Sequence, residues 1–142
     1  MQQGTWRDGW FVVPMQVTFR DIDAFGHVNN AVFFSYFEWA RTVLWFALTG
    51  GEKAYDIGFI VARAECDFRD QIRLEEIEVL VRIGEMRNTS LDFLYEIRKR
   101  ADGVLAATGT VVVVLFDWDT RSKKQIDADF RQKVMELQTA EG

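Results

Sequence analysis

Residues 31 to 48, AVFFSYFEWARTVLWFAL, decide most of what this chain can build. Nearly every position is apolar, and the exceptions Ser35, Glu38, Arg41 and Thr42 fall three or four residues apart or side by side. On an α-helix that spacing gathers them into one narrow stripe. A helix polar on so little of its circumference is buried on most of it. At about 1.5 Å per residue it nearly matches the thickness of a bilayer, but Glu38 and Arg41 stand mid-segment, where hydrocarbon penalises charge. The pattern predicts a core helix wrapped by a sheet and stopped by a left-handed cap at Gly50-Gly51.

The rest of the chain supplies the sheet. PMQVTFR, residues 14–20, alternates with Met15, Val17 and Phe19 on one side and reads as a first strand. Ile60, Ala62, Ala64, Cys66 and Phe68 alternate against Val61, Arg63, Glu65 and Asp67, and the same period returns in Ile77, Val79, Val81 and Ile83 and in Leu91, Phe93, Tyr95 and Ile97. Asp102-Gly103 offers two residues of positive φ for a tight turn. It leads into VLAATGTVVVVLFDW, whose continuous apolarity suits a strand covered on both faces, with Gly109 marking a bulge. Short connections imply antiparallel pairing. Phe130, Val134 and Leu137 have helical spacing behind Asp127, a cap for a terminal helix. The expected fold is α+β, one antiparallel sheet of about five strands wrapped around one long central helix, in a single domain over residues 1–142.

Composition and charge narrow the partners. The net charge is −5 and the basic residues are dispersed, so the basic stripe of a nucleic-acid binder is missing. A lone cysteine, Cys66, makes no internal disulfide, and the start MQQGTWRDGWFVVPM lacks a basic segment followed by a long apolar one. The expectation is a cytoplasmic protein without a transmembrane segment. One histidine and scattered carboxylates give no spacing for metal ligands.

The stretch RDIDAFGHVNNAVFF, residues 20 to 34, carries the chemistry. Asn29 and Asn30 fall where loop becomes helix, and asparagine is a favoured N-cap. Gly26 lets the loop fold back over the helix start, which brings Asp23 to the positive end of a long helix. Free N–H groups there suit a developing oxyanion. A carboxylate beside them can attack an activated carbonyl or deprotonate the water that does. The same residues also read as plain helix capping, and spacing alone leaves both open.

D-I-D-A-F-G-H-V-N-N-A, followed by Y-F-E-W-A-R in an aromatic helix, resembles the signature of the hot-dog-fold acyl-CoA thioesterases of the 4-hydroxybenzoyl-CoA thioesterase type. It is also similar to the D-x-D-x-x-x-H-V-N-N run of acyl-carrier-protein thioesterases. The strand order, the hairpin and the ending KKQIDADFRQKV extend the resemblance over nearly the whole chain. It implies that Asp23 is the catalytic carboxylate, as nucleophile or general base, and that the backbone N–H of Asn30 polarises the thioester carbonyl. His27 and Asn29 match the H-x-N-N portion, which shapes the loop and holds the acyl carbonyl or the attacking water. It further implies hydrolysis of an acyl-CoA to a carboxylic acid and free CoA without metal or other cofactor. Two protomers would join sheet edge to sheet edge with the site between them, in a homodimer or homotetramer. Phe25 departs from the plant-type acyl-carrier-protein enzymes, which have asparagine there, and this favours CoA esters.

An acidic protein must supply local cations for the CoA phosphates. Arg63, Arg69 and Arg73 are the candidates, with the run Arg98-Lys99-Arg100. Glu38 and Arg41 read as a structural ion pair, Asp21 as a turn residue, and Cys66 as a buried inert thiol. The rival functions are an acyl-carrier-protein thioesterase and a non-catalytic acyl-CoA-binding domain of the same fold.

Overall fold

The computed structural model describes residues 4–139. Its antiparallel sheet runs in the order β1 (Thr5–Arg7), β2 (Trp10–Gln16), β4 (Glu76–Met86), β5 (Ser90–Lys99), β6 (Leu105–Asp117) and β3 (Phe59–Phe68), and the two-residue β7 (Ser122–Lys123) pairs with β6. Helix α1 (Asn30–Thr49) lies across the inner face, and α2 (Ala128–Thr139) follows the sheet. Among the described residues the sheet thus has seven strands, two of them very short, where the sequence predicts about five. β1 and β7 are too short to show a period.

The long helix forms as its pattern predicts. Phe37, Ala40 and Leu44 are fully buried against the sheet, and Gly50 ends the helix at φ 78°, its N–H donating to the Phe46 carbonyl at 2.8 Å. The polar stripe holds only in part. Ser35 and Glu38 are exposed, but Arg41 turns inward and is 8 % exposed, while Trp39 shares the outer face. The α2 cap is the expected one, with the Phe130 N–H donating to the Asp127 carboxylate at 2.8 Å.

Five expectations are corrected. The first strand starts earlier, at Trp10, and stops at Gln16; Phe19 is 85 % exposed in a 3-10 turn, Phe19–Asp21, because the Asp21 carboxylate caps the Thr18 N–H at 3.0 Å and pulls the chain out of the sheet. β3 carries a bulge between Val61 and Arg63, so Val61 rather than Ile60 shares the inner face with Ala64, Cys66 and Phe68. In the β5–β6 turn only Gly103 has positive φ (74°), and the Asp102 carboxylate accepts from the Val104 N–H at 3.0 Å. Gly109 marks no bulge: it pairs in register with Tyr95 and Cys66, and a Cβ there would lie 2.4 Å from the Phe37 ring. The outer face of β6 is half-buried at Val112 and Val114, not covered.

β3 is the last strand of the sheet. Val61 and Phe68 on its inner face are 42 % and 44 % exposed, so the trough between β3 and α1 is open. Among the described residues no helix is long and apolar enough to cross a membrane.

Candidate active site

The loop between β2 and α1 is a small hairpin built on Asp21 and Asp23. Ile22 and Val28 form an isolated antiparallel bridge, the Asp23 N–H donates to the His27 carbonyl at 2.9 Å, and the Gly26 N–H returns to the Asp23 carbonyl at 3.0 Å. Gly26 takes φ 81°, which closes a turn that a Cβ would strain. The Asp23 carboxylate accepts from the Phe25 N–H at 2.9 Å. That bond uses one oxygen, and the carboxylate stays only half-buried.

Asp21 fastens this hairpin to the helix. Its backbone carbonyl accepts from the Asn29 N–H at 3.0 Å, and its carboxylate accepts from the Tyr36 hydroxyl at 2.8 Å, one and a half turns along α1. Burial, and then the hydrogen bond to Asp21, raise the pKa of the Tyr36 phenol, so it stays a donor. On the other side the Val28 N–H donates to the Ile72 carbonyl at 2.8 Å, docking the loop onto the segment after β3. Sequence reading assigned Asp21 a turn role but had no means of finding Tyr36.

Asn29 is the N-cap, with its side-chain oxygen accepting from the Ala31 N–H at 2.9 Å and its backbone carbonyl from Val32 at 2.9 Å. The Asn30 N–H, the first of the helix, has no acceptor among the described residues. Such an orphan donor at the positive end of a twenty-residue helix is available to a ligand oxygen.

Asp23, His27 and Asn30 line one open cleft of about 520 Å³, together with Phe25, Val28, Phe33, Phe68, Arg69, Asp70 and Gln71. Phe33 and Phe68 meet edge to face at 5.0 Å and give it an apolar wall. Arg69 lines the cleft, and its guanidinium joins no ion pair among the described residues. A hydrogen bond from Lys99 holds the Asp70 carboxyl below its usual range, so it is anionic at neutral pH.

Other candidates fall outside this cleft. The Asn29 side chain is used in the cap. Arg63 is exposed on β3 and paired with Glu65 at 3.0 Å, and Arg73 is exposed beyond the cleft wall. Arg98, Lys99 and Arg100 each face a carboxylate, Glu96, Asp70 and Glu76. Glu38 and Arg41 approach to 3.8 Å. Burial raises the Cys66 thiol to about 11, which keeps it protonated. Among the described residues no three His, Cys, Asp or Glu side chains are grouped to hold a metal ion.

Residues 17–134 match the thioesterase-like superfamily. The chain belongs to this family. This superfamily member is a thioester hydrolase of the hot-dog fold. An uncharacterized protein of Bacillus subtilis (strain 168), YsmA, is 30 % identical over 105 residues, 73 % of this chain and 71 % of that one. A thioesterase of Thermus thermophilus, solved with coenzyme A and Zn, superposes with a TM-score of 0.81 and 32 % identity over 93 % of this chain and 96 % of that one. A predicted thioesterase from Bacillus stearothermophilus gives 0.82 and 28 % over 90 % and 96 %.

Proposed function

We propose that this hydrolase cleaves acyl-CoA thioesters to a carboxylic acid and free CoA. One observation carries the reading: a carboxylate, Asp23, and an unclaimed helix-start donor, the Asn30 N–H, converge on a cleft walled by Phe33 and Phe68 with Arg69 at its rim. The thioester carbonyl accepts from the Asn30 N–H, which stabilises the oxyanion as the carbonyl carbon becomes tetrahedral. Asp23 either attacks that carbon, giving a mixed anhydride that water then hydrolyses, or takes the proton from the water that attacks it; in both, collapse of the tetrahedral intermediate breaks the C–S bond and expels CoA as its thiolate. His27, half-buried on the same cleft, bounds the space for the acyl carbonyl and the water. Arg69 meets the CoA phosphates, with Arg73 and Arg63 further out. The thioesterase complexed with coenzyme A from Thermus thermophilus, 32 % identical, supports CoA as the carrier.

The test is release of free thiol from one acyl group carried on CoA and on pantetheine, which lacks the nucleotide phosphates. Wild type is expected to prefer CoA through a lower KM, and Arg69→Gln to erase most of that preference while kcat holds. Equal KM for the two carriers in wild type contradicts the assignment of Arg69. Faster turnover on acyl-carrier protein than on CoA would move the substrate to the carrier.

The same reading makes the active unit an oligomer. Among the described residues β3 ends the sheet, with unpaired backbone groups along its free edge and an exposed apolar inner face. Two copies joined there extend one sheet through both and bring each cleft to the other protomer. Native mass spectrometry is expected to give two or four times 16.5 kDa, and a lone 16.5 kDa species contradicts it. The single-domain organisation over residues 1–142, the cytoplasmic location and the 4-hydroxybenzoyl-CoA type belong to this proposal.

A further inference from the structure

The chemistry above leaves one interior polar pair unused. Tyr95 projects from the inner face of β5, is 2 % exposed, and its buried hydroxyl meets no hydrogen-bond partner among the described residues. Arg41 reaches in from α1. Burial raises the phenol above its ordinary range, and the positive charge of Arg41, together with its N–H groups close to the phenol oxygen, acts in the opposite direction. Among the described residues the guanidinium has one carboxylate within ion-pair distance, Glu38 at 3.8 Å, and the Glu38 side chain is 72 % exposed. A buried hydroxyl and a buried guanidinium ordinarily have their donors met. Here the Tyr95 hydroxyl has the Arg41 guanidinium for a neighbour and no acceptor for its own proton among the described residues.

Their surroundings indicate where one would enter. Tyr95 is in register with Gly109, and Gly109 with Cys66, so the three share one row of the inner face, with the Phe37 ring lying over Gly109. Phe37 stacks on the Tyr95 ring at 4.2 Å and fills the space above Gly109. Phe68, which walls the cleft, lies on the same face of β3 as Cys66, two residues on, and that face is open. On the helix Asn30, Phe34, Phe37 and Arg41 are spaced four, three and four residues apart and share one side. The start of α1 at the cleft and Arg41 therefore lie along one side of the helix. Eleven residues of helix advance about 16 Å, and because helical side chains lean toward the N-terminus, the guanidinium stands about 10 Å from the Asn30 N–H.

We infer that Arg41 and Tyr95 form the far end of the acyl site and select acyl groups bearing an acceptor oxygen, a carboxylate or hydroxyl, about 10 Å from the thioester carbonyl. The inference rests on the thioesterase reading of the Asp23 cleft. A carboxylate would take paired N–H bonds from Arg41 and the O–H of Tyr95; a hydroxyl oxygen would accept from either. A plain alkyl end would leave the Tyr95 O–H unmet. An extended chain advances about 1.2 Å per bond, so eight carbons reach the pair.

The experiment compares octanoyl-CoA with its ω-hydroxy and ω-carboxy analogues, on wild type, Tyr95→Phe and Arg41→Gln. Wild type is expected to favour an oxygenated chain over octanoyl by about tenfold or more in kcat/KM. Tyr95→Phe keeps the ring against Phe37 and is expected to cut that ratio about tenfold, and Arg41→Gln to cut it most for the ω-carboxy chain. A wild type that prefers octanoyl, or a ratio unchanged by Tyr95→Phe, overturns the inference. If no thioester is cleaved, the hydrolytic reading of the cleft has failed on its own. Calorimetry on the same three chains as CoA thioethers then decides: retained preference for the oxygenated chains supports the selector, and equal affinity overturns it.

Discussion

Asp23→Asn is expected to lower kcat by about 10²–10⁴-fold, with KM for the acyl-CoA little changed. The substitution keeps shape and removes charge. The loop does not depend on that charge, since its turn is closed by the Asp23 backbone N–H and carbonyl, and an amide oxygen can still accept from the Phe25 N–H. The Asn30 donor is untouched, so residual turnover above background is expected from carbonyl polarisation alone. Steady-state thiol release, with circular dichroism to show an unchanged fold, reads the effect. An Asp23→Asn enzyme as fast as its parent removes Asp23 from the chemical step.

That this loop could be found from sequence reflects how local its physics is. Gly26, the Asn29 cap and the start of the apolar run lie within a few residues of one another, and each acts on its neighbours. α1 was legible for the same reason, because a narrow polar stripe and Gly50 need no tertiary partner to be recognised. What escaped depends on contacts between distant residues. The bulge at Val61 exists only relative to β6, and alternation along β3 alone points to Ile60. Arg41 falls in the polar stripe by spacing, yet its side chain is long enough to turn inward toward Tyr95 of β5. Phe19 continues the alternation of β2, but the capping bond from Thr18 to Asp21 overrides it. Of the cations, Arg69 differs from Arg98, Lys99 and Arg100 in joining no ion pair among the described residues.

Phe37→Ala is expected to cost about 3–5 kcal/mol, a large share of the roughly 5–15 kcal/mol that holds a domain of this kind folded. Phe37 is fully buried, stacks on Tyr95 at 4.2 Å and meets Phe34 edge to face at 6.1 Å. It also explains Gly109. A methyl group there would meet the Phe37 ring at 2.4 Å and the Glu65 carbonyl oxygen at 2.9 Å, so Gly109→Ala alone is expected to cost about 1–3 kcal/mol. With the ring removed, most of that clash goes, and the double substitution should be less damaging than the sum of the singles. Urea unfolding of the four proteins reads the coupling. Strict additivity would mean that the helix does not rest on the sheet at Gly109.

The most direct test of the account is a crystal structure with a CoA ketone analogue, in which a methylene group replaces the thioester sulfur and the bond cannot be hydrolysed. The account predicts the ketone oxygen about 2.7–3.1 Å from the Asn30 backbone nitrogen, the Asp23 carboxylate beside the carbonyl carbon, and the phosphates toward Arg69. A ketone bound away from the start of α1, with the Asn30 N–H still open to water, would contradict it.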